Sequence, residues 1–176
     1  MPRTRMLTRD DRAALAALPT RVSPETSYAR FHGVVRTLTT PALNRLLDLE
    51  PGRHEAVIAE TGEGIVAVAR YVRDDPGSAE AEVAIVVADE WQRTGVGRTL
   101  MRELMATAWP AGIRRFRATM MLESGAVRQF ITALAPTARG RIVDGKLVVI
   151  IELAEPAPAQ GRSSAFGTME VGIGQL

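Results

Sequence analysis

Val86-Val87-Ala88-Asp89-Glu90-Trp91-Gln92-Arg93-Thr94-Gly95-Val96-Gly97-Arg98-Thr99-Leu100 is the stretch that decides how the rest of this chain is read. It opens from Glu82-Val83-Ala84-Ile85-Val86-Val87-Ala88, a nearly continuous apolar run that predicts a strand buried on both faces. It continues into a helix predicted over 97–108, with Leu100, Leu104 and Ala108 along one stripe. The first N–H groups of a helix have no internal partners, and the macrodipole places partial positive charge there. Gly95 and Gly97 carry no Cβ to hold an anion away, and Arg93 and Arg98 add full charge at the same place. Residues 81–108 thus read as strand, turn and helix, with a pyrophosphate site at the join.

Three nucleotide-like or structural readings compete for this turn. A P-loop needs Gly-Lys-Ser/Thr after a four-residue gap between glycines, and Gly97-Arg98-Thr99 lacks that gap. A dinucleotide fingerprint needs a third small residue where Leu100 stands, and an acidic residue about 20 positions on, which Phe116 to Leu122 does not offer. A capped helix whose glycines serve only packing remains open on physics alone.

Outward from the turn, Thr4 to Thr8 predicts a short strand, followed by a helix with an acidic start at Asp10-Asp11 and a stop at Pro19. Ser23-Pro24-Glu25 opens a second helix, to Phe31, and Thr40-Pro41 a third through Leu43, Leu46 and Leu47. His54 to Glu60 and Ile65 to Val72 form a predicted hairpin around Thr61-Gly62-Glu63-Gly64. Beyond the central helix come a strand over Phe116 to Leu122 and a helix over Ser124 to Leu134. Strands over Arg139 to Val143 and Leu147 to Leu153 join at Asp144-Gly145, a strong hairpin signal. From Glu155 the composition turns to Pro, Ala, Ser and Gly, so the domain is drawn at 1–154 with a flexible tail at 155–176.

Composition excludes several classes of function. The chain has 176 residues, 46% of them hydrophobic, enough for one domain with its own core. Its formal net charge of +2 is too small to argue for nucleic acid, although Lys146 is the only lysine among 22 basic residues. Without cysteine there is no disulfide, thiolate nucleophile or Cys-based zinc site, and His32 and His54 are too few for a convincing metal site. No apolar run reaches membrane-spanning length and the N-terminus lacks an apolar signal core, so a soluble cytoplasmic protein is expected.

Gln92-Arg93-Thr94-Gly95-Val96-Gly97, after a buried strand, resembles the Q/R-x-x-G-x-G/A signature of GNAT acetyltransferases. The resemblance covers most of residues 1–153 and is nearest to the bacterial Pat-type protein lysine acetyltransferases. Ser23-Pro24-Glu25-Thr26-Ser27-Tyr28-Ala29-Arg30-Phe31, Arg53 to Ala59, Val68-Ala69-Arg70-Tyr71 and Glu80 to Ala84 carry that closer likeness. The resemblance implies an α+β (mixed α/β) GNAT fold. Its central sheet is mixed, mostly antiparallel and of about seven strands, flanked by about four or five helices.

It also implies acetyl-CoA as cofactor. Ile85, Val86 and Val87 would pair their backbone with the pantetheine arm, and Arg93, Thr94, Gly95, Val96, Gly97 and Arg98 would hold the pyrophosphate. An N–H near Val87 would stabilise the oxyanion formed as an amine attacks the thioester. Glu82 is the candidate general base: it starts an apolar strand, where burial would raise its pKa, and the Pat-type glutamate falls there. A solvated strand-end carboxylate paired with an arginine is the competing reading, and Glu80 is expected to be the more exposed of the two.

Two departures stand out. The family's usual cofactor-binding asparagine is replaced around Gly125, leaving the Ser124 hydroxyl as a substitute, and Ala126 to Ala135 offers no tyrosine as general acid. The expected acceptor is a protein lysine side chain. A small-molecule amine is the alternative, and a non-catalytic CoA-binding module the competitor from another class. The Pat-type proteins with a cyclic-nucleotide domain place it ahead of this module, and no such regulation is expected from these residues. Of lesser candidates, His54 is expected to be structural, Tyr28, Phe31 and Tyr71 core, Trp91 packed under the helix and Asp89 a turn residue. Arg114-Arg115-Phe116-Arg117 is expected to be a solvated face.

Overall fold

The computed structural model describes residues 1–24, 26–27, 36–121, 125–135 and 138–155. Its strands are β1 (Arg3–Met6), β2 (His54–Thr61), β3 (Gly64–Val72), β4 (Glu80–Val87), β5 (Arg115–Met121), β6 (Arg139–Val143) and β7 (Lys146–Glu152). They form one sheet in the order β1-β2-β3-β4-β5-β7-β6. Every neighbouring pair is antiparallel except β4 and β5, as the mixed, mostly antiparallel expectation requires. The α-helices among the described residues are α1 (Arg12–Ala17), α2 (Thr40–Leu46), α3 (Val96–Ala108) and α4 (Gly125–Leu134).

Local chemistry explains the joins. The β6–β7 turn places Asp144 at φ +49° and Gly145 at φ +74°, the two positive values a two-residue hairpin turn requires. Thr39 caps α2 by accepting the Ala42 N–H at 3.3 Å, with Pro41 in the first turn. α3 ends where Gly112 turns to φ +83° and the Ile113 N–H reaches back to the Ala108 carbonyl at 3.1 Å. The helix expected to close at Pro19 is shorter than its pattern. α1 stops at Ala17, and 3-10 turns at Arg9–Asp11 and Leu18–Arg21 flank it. Proline has no N–H to extend an α-helix, and here it sits in the tighter turn.

The sheet separates two layers. On one face α3 buries Val96, Leu100, Met101, Leu104 and Ala108 against β2, β3 and β4. Tyr71 and Phe116 stack there with ring centroids 5.9 Å apart, and both are fully buried. On the other face, Leu15 of α1, Leu18 and Leu46 pack over Val68, Ala84 and Val86. No helix among the described residues is long and apolar enough to cross a membrane.

Ser23 caps a helical turn as expected, accepting the Thr26 N–H at 3.2 Å. Tyr28, Phe31 and the rest of that expected helix lie outside the described residues, as do Ser124 and the tail at 156–176.

Candidate active site

The sheet opens beside β4. β4 and β5 pair over only three rungs, Glu80 with Arg115, Ala81 with Phe116 and Glu82 with Arg117, although β4 runs on to Val87. β5 meanwhile keeps seven rungs with β7. A strand's backbone groups alternate sides, so the direction of each can be worked out. The Ala88 N–H bonds Val66 O at 2.8 Å, and the Arg114 and Arg115 N–H groups reach Ala79 O at 2.7 and 3.0 Å. Even-numbered residues of β4 therefore face β3, and odd-numbered ones face β5. The backbones of Ile85 and Val87, beyond the last rung with β5, point into the opening that β5 has left. The Val86 backbone is held by β3, so of the three expected pairing residues only Ile85 and Val87 face the gap.

This opening also corrects the expectation of a strand buried on both faces. Ala81, Val83 and Val86 are buried, but Ala84, Ile85 and Val87 are only half-buried and Glu82 is exposed. The strand is apolar because it lines a cleft and a groove as well as the core.

At the end of the cleft the chain turns into α3. Gly95 adopts φ +93°, a left-handed conformation that L side chains resist. A Cβ there would meet nothing within 4 Å, so backbone conformation and not crowding selects glycine. The first intrahelical bond of the turn is from the Thr99 N–H to Gly95 O, 3.1 Å. The N–H groups of Val96, Gly97 and Arg98 precede it and have no intrahelical acceptor. Arg93, itself at φ +60°, and Arg98 are exposed and form no ion pair among the described residues. Thr94 turns its hydroxyl inward, donating to Trp91 O at 2.6 Å.

Gln92 and Asp89 brace this turn. The Gln92 amide donates to Val87 O at 3.3 Å, to Thr26 Oγ1 at 3.0 Å and to Asp89 Oδ1 at 2.9 Å. Asp89 accepts from the Ser23 N–H at 2.8 Å and from Thr26 Oγ1 at 2.9 Å. The carboxylate expected to be a simple turn residue thus ties the turn before α3 to the segment beginning at Ser23. That tie joins positions 66 residues apart, and no local pattern announces it. Trp91 packs against the core beside the turn as expected.

Glu82 lies at the other end of the cleft, about 17 Å away along the strand. Its side chain is 52% exposed, against 33% for Glu80, which reverses the expected order and removes burial as the feature that marks it. The physical reason is the rung on which it sits. Val72, Glu82 and Arg117 stand side by side on one sheet face, and Arg117 Nη2 lies 3.9 Å from Glu82 Oε2. Arg117 also approaches Glu80 at 3.5 Å and Asp74 at 3.7 Å, so it is shared among three carboxylates.

The remaining candidates are placed as follows. His54 is buried on the same rung, paired with Val72, with Nδ1 donating to Asp48 O at 2.8 Å. Burial, opposed by that hydrogen bond, pushes its pKa below the usual histidine value. It is structural, as expected. Tyr71 is core, but its hydroxyl donates to Glu55 Oε2 at 2.5 Å. The basic run at the start of β5 is solvated as expected at Arg114 and Arg115, both exposed, although each also has a partner within the fold. Arg114 stacks on Trp109 at 3.9 Å, Arg115 lies 3.7 Å from Glu80, and Phe116 is buried. Among the described residues no group of acidic residues and histidines could hold a metal.

The anion-binding turn and the strand edge leading from it suit a ligand with a phosphate-bearing end and a thin, hydrogen-bonding arm. Those are the recognisable parts of coenzyme A, so the residues present fit that cofactor.

A seven-stranded mixed sheet that opens beside its one parallel pair, with a helix N-terminus at the mouth, is the architecture of the GNAT fold. The chain belongs to the acetyltransferase (GNAT) family, whose model matches residues 23–131. It is 35% identical over 118 residues to the acetyltransferase Pat of Mycolicibacterium smegmatis, an alignment covering 66% of this chain and 35% of that protein. The chain therefore spans about a third of that relative's length. The crystal structure of the GNAT domain of S. lividans PAT superposes with a TM-score of 0.79 at 27% identity, covering 86% of this chain and 90% of that one. The structure of yncA from Salmonella typhimurium with its cofactor acetyl-CoA shares the fold, with a TM-score of 0.67 at 16% identity, covering 89% of this chain and 96% of that one.

Proposed function

We propose that this chain is an acetyl-CoA-dependent N-acetyltransferase that modifies a lysine side chain of a protein, with Glu82 as general base. The observation that carries the reading is the unpaired run of β4, which leads from the anion-binding turn to Glu82. Likeness to the Pat-type proteins supports lysine as acceptor. When bound, acetyl-CoA supplies an acetyl group activated as a thioester.

The chain's own residues do the rest. The N–H groups of Val96, Gly97 and Arg98, with the side chains of Arg93 and Arg98, hold the pyrophosphate. The outward backbone groups of Ile85 and Val87 take the arm as an added strand, and the Val87 N–H is aimed into the cleft as a donor for developing negative charge. Gln92 donates to the Val87 carbonyl and so fixes the Val87–Ala88 peptide, next to the one that carries this N–H. Ser124, which directly precedes α4 in the sequence, is the residue proposed to supply a hydroxyl in place of the usual asparagine. The acceptor arrives as an ammonium group, and Glu82 takes its proton so that the nitrogen lone pair is free to attack. Residues 126–135 offer no tyrosine as general acid, so water would serve in that role.

Glu82→Gln tests the assignment. General-base removal is expected to slow acetyl transfer by about 10²–10⁴-fold while acetyl-CoA affinity stays unchanged. Equal rates in variant and parent would exclude Glu82 as the base. Thiol release measured across protein and small-amine acceptors decides between lysine and small-molecule acetylation.

A further inference from the structure

The groove beside Glu82 contains a charged group that the transfer chemistry does not use. Its walls are apolar: Leu15, Leu18, Val22, Leu46, Val68 and Val86. Arg70 lines the same groove from β3. It is half-buried, its Nε is buried with no hydrogen-bond partner, and it makes no ion pair among the described residues. Desolvation lowers its pKa from the usual arginine value, an effect that Glu82 partly offsets from a distance. A guanidinium held among apolar side chains without a carboxylate partner is costly to the fold, which makes it a candidate for function.

Its position relative to Glu82 is defined by register. Arg70 pairs with Ala84, and Glu82 pairs with Val72, so the two side chains are diagonal neighbours on one sheet face. Such diagonals are about 7–8 Å apart. In an extended peptide, side chains two residues apart lie on one face about 7 Å from each other. The rim adds more positive charge. Arg45 is exposed, free of ion pairs among the described residues, and close enough to Arg70 to act on it electrostatically. Arg9 and Arg12 stand beside Arg45, with Asp48 the one carboxylate in that group.

From this arrangement we infer that Arg70 is a specificity residue for the acceptor: it pairs with an aspartate or glutamate two positions from the acceptor lysine in an acidic protein segment, whose apolar neighbour lies against the groove wall. The inference rests on the lysine acetyltransferase reading and adds the sequence context of the lysine. Arg70 touches the acceptor and leaves the proton transfer to Glu82.

The test uses two fluorescein-labelled peptides, Leu-Glu-Ala-Lys-Ala-Gly and its twin with Gln for Glu, against the full chain with CoA present. Binding is read by anisotropy and transfer by thiol release. The parent is expected to prefer the acidic peptide by about tenfold or more in Kd and KM, the range of a charge-assisted hydrogen bond. Arg70→Met and Arg70→Gln should abolish the preference, weaken the acidic peptide alone and leave kcat and acetyl-CoA affinity unchanged, with Arg70→Lys restoring part of it. Circular dichroism and the melting temperature confirm that each variant is folded.

Arg70-dependent preference in binding, without turnover, upholds the inference while the enzymatic reading fails. Turnover of both peptides with equal KM overturns the inference while that reading stands. A response confined to free amino acids, with both peptides indifferent to Arg70, also overturns it.

Discussion

Gly95 is the residue on which the turn before α3 depends, and its requirement is conformational. At φ +93° a Cβ is strained although the space around it is open. Gly95→Ala is expected to destabilise the fold by about 1–2 kcal/mol and to weaken acetyl-CoA binding, both measurable by denaturant titration and calorimetry. Unchanged stability would mean that the turn relaxes without cost. The turn that contains Arg93, Gly95 and Arg98 was legible in the sequence because a join between strand and helix carries its own local signals. Asp89 and Arg70 were not. Asp89 acts on Ser23 and Thr26, and Arg70 matters because of what the sheet places across from it. Glu82 was expected to be buried and is exposed, because Arg117 approaches it from a strand that adjoins β4 only after a crossover.

At the scale of elements, the strands and α3 followed their periodicities, with boundaries shifted by one or two residues. The sequence could not show where β4 and β5 separate. Nothing in either strand's residues marks the point, and the loss of pairing after Glu82 depends on β5 remaining with β7. The start of β2 carries a testable consequence of packing. His54 is buried with its pKa lowered, so the unfolded chain binds its proton more readily than the folded one. Stability should therefore rise with pH through the lowered folded value and level off above about 6.5, the unfolded value. On acidification this contribution is lost below about 6.5. His54→Asn keeps a donor for Asp48 O and should flatten that part of the profile, read as the denaturation midpoint against pH. An unchanged slope would assign the pH dependence to other groups.

Across the whole molecule, the fold brings three separated pieces of sequence, one of them the continuous stretch from β4 into α3, to one side of the sheet opening. β4 supplies a free backbone edge and Glu82, the turn before α3 supplies donors and charge, the segment at Ser23 braces that turn, and β3 contributes Arg70 on the acceptor side. The overall class was readable because the turn motif and the element order agree. The acceptor was not, because the groove proposed for it is assembled from α1, α2, β3 and β4 together. The central claim is that the turn after β4 binds the pyrophosphate of acetyl-CoA. Calorimetric titration of acetyl-CoA into the parent chain and into Arg93→Ala/Arg98→Ala tests it most directly. The parent should bind, and the folded double variant should bind at least about tenfold more weakly, with the difference shrinking as salt is raised. No binding by the parent, or equal affinity in both proteins, would contradict the account.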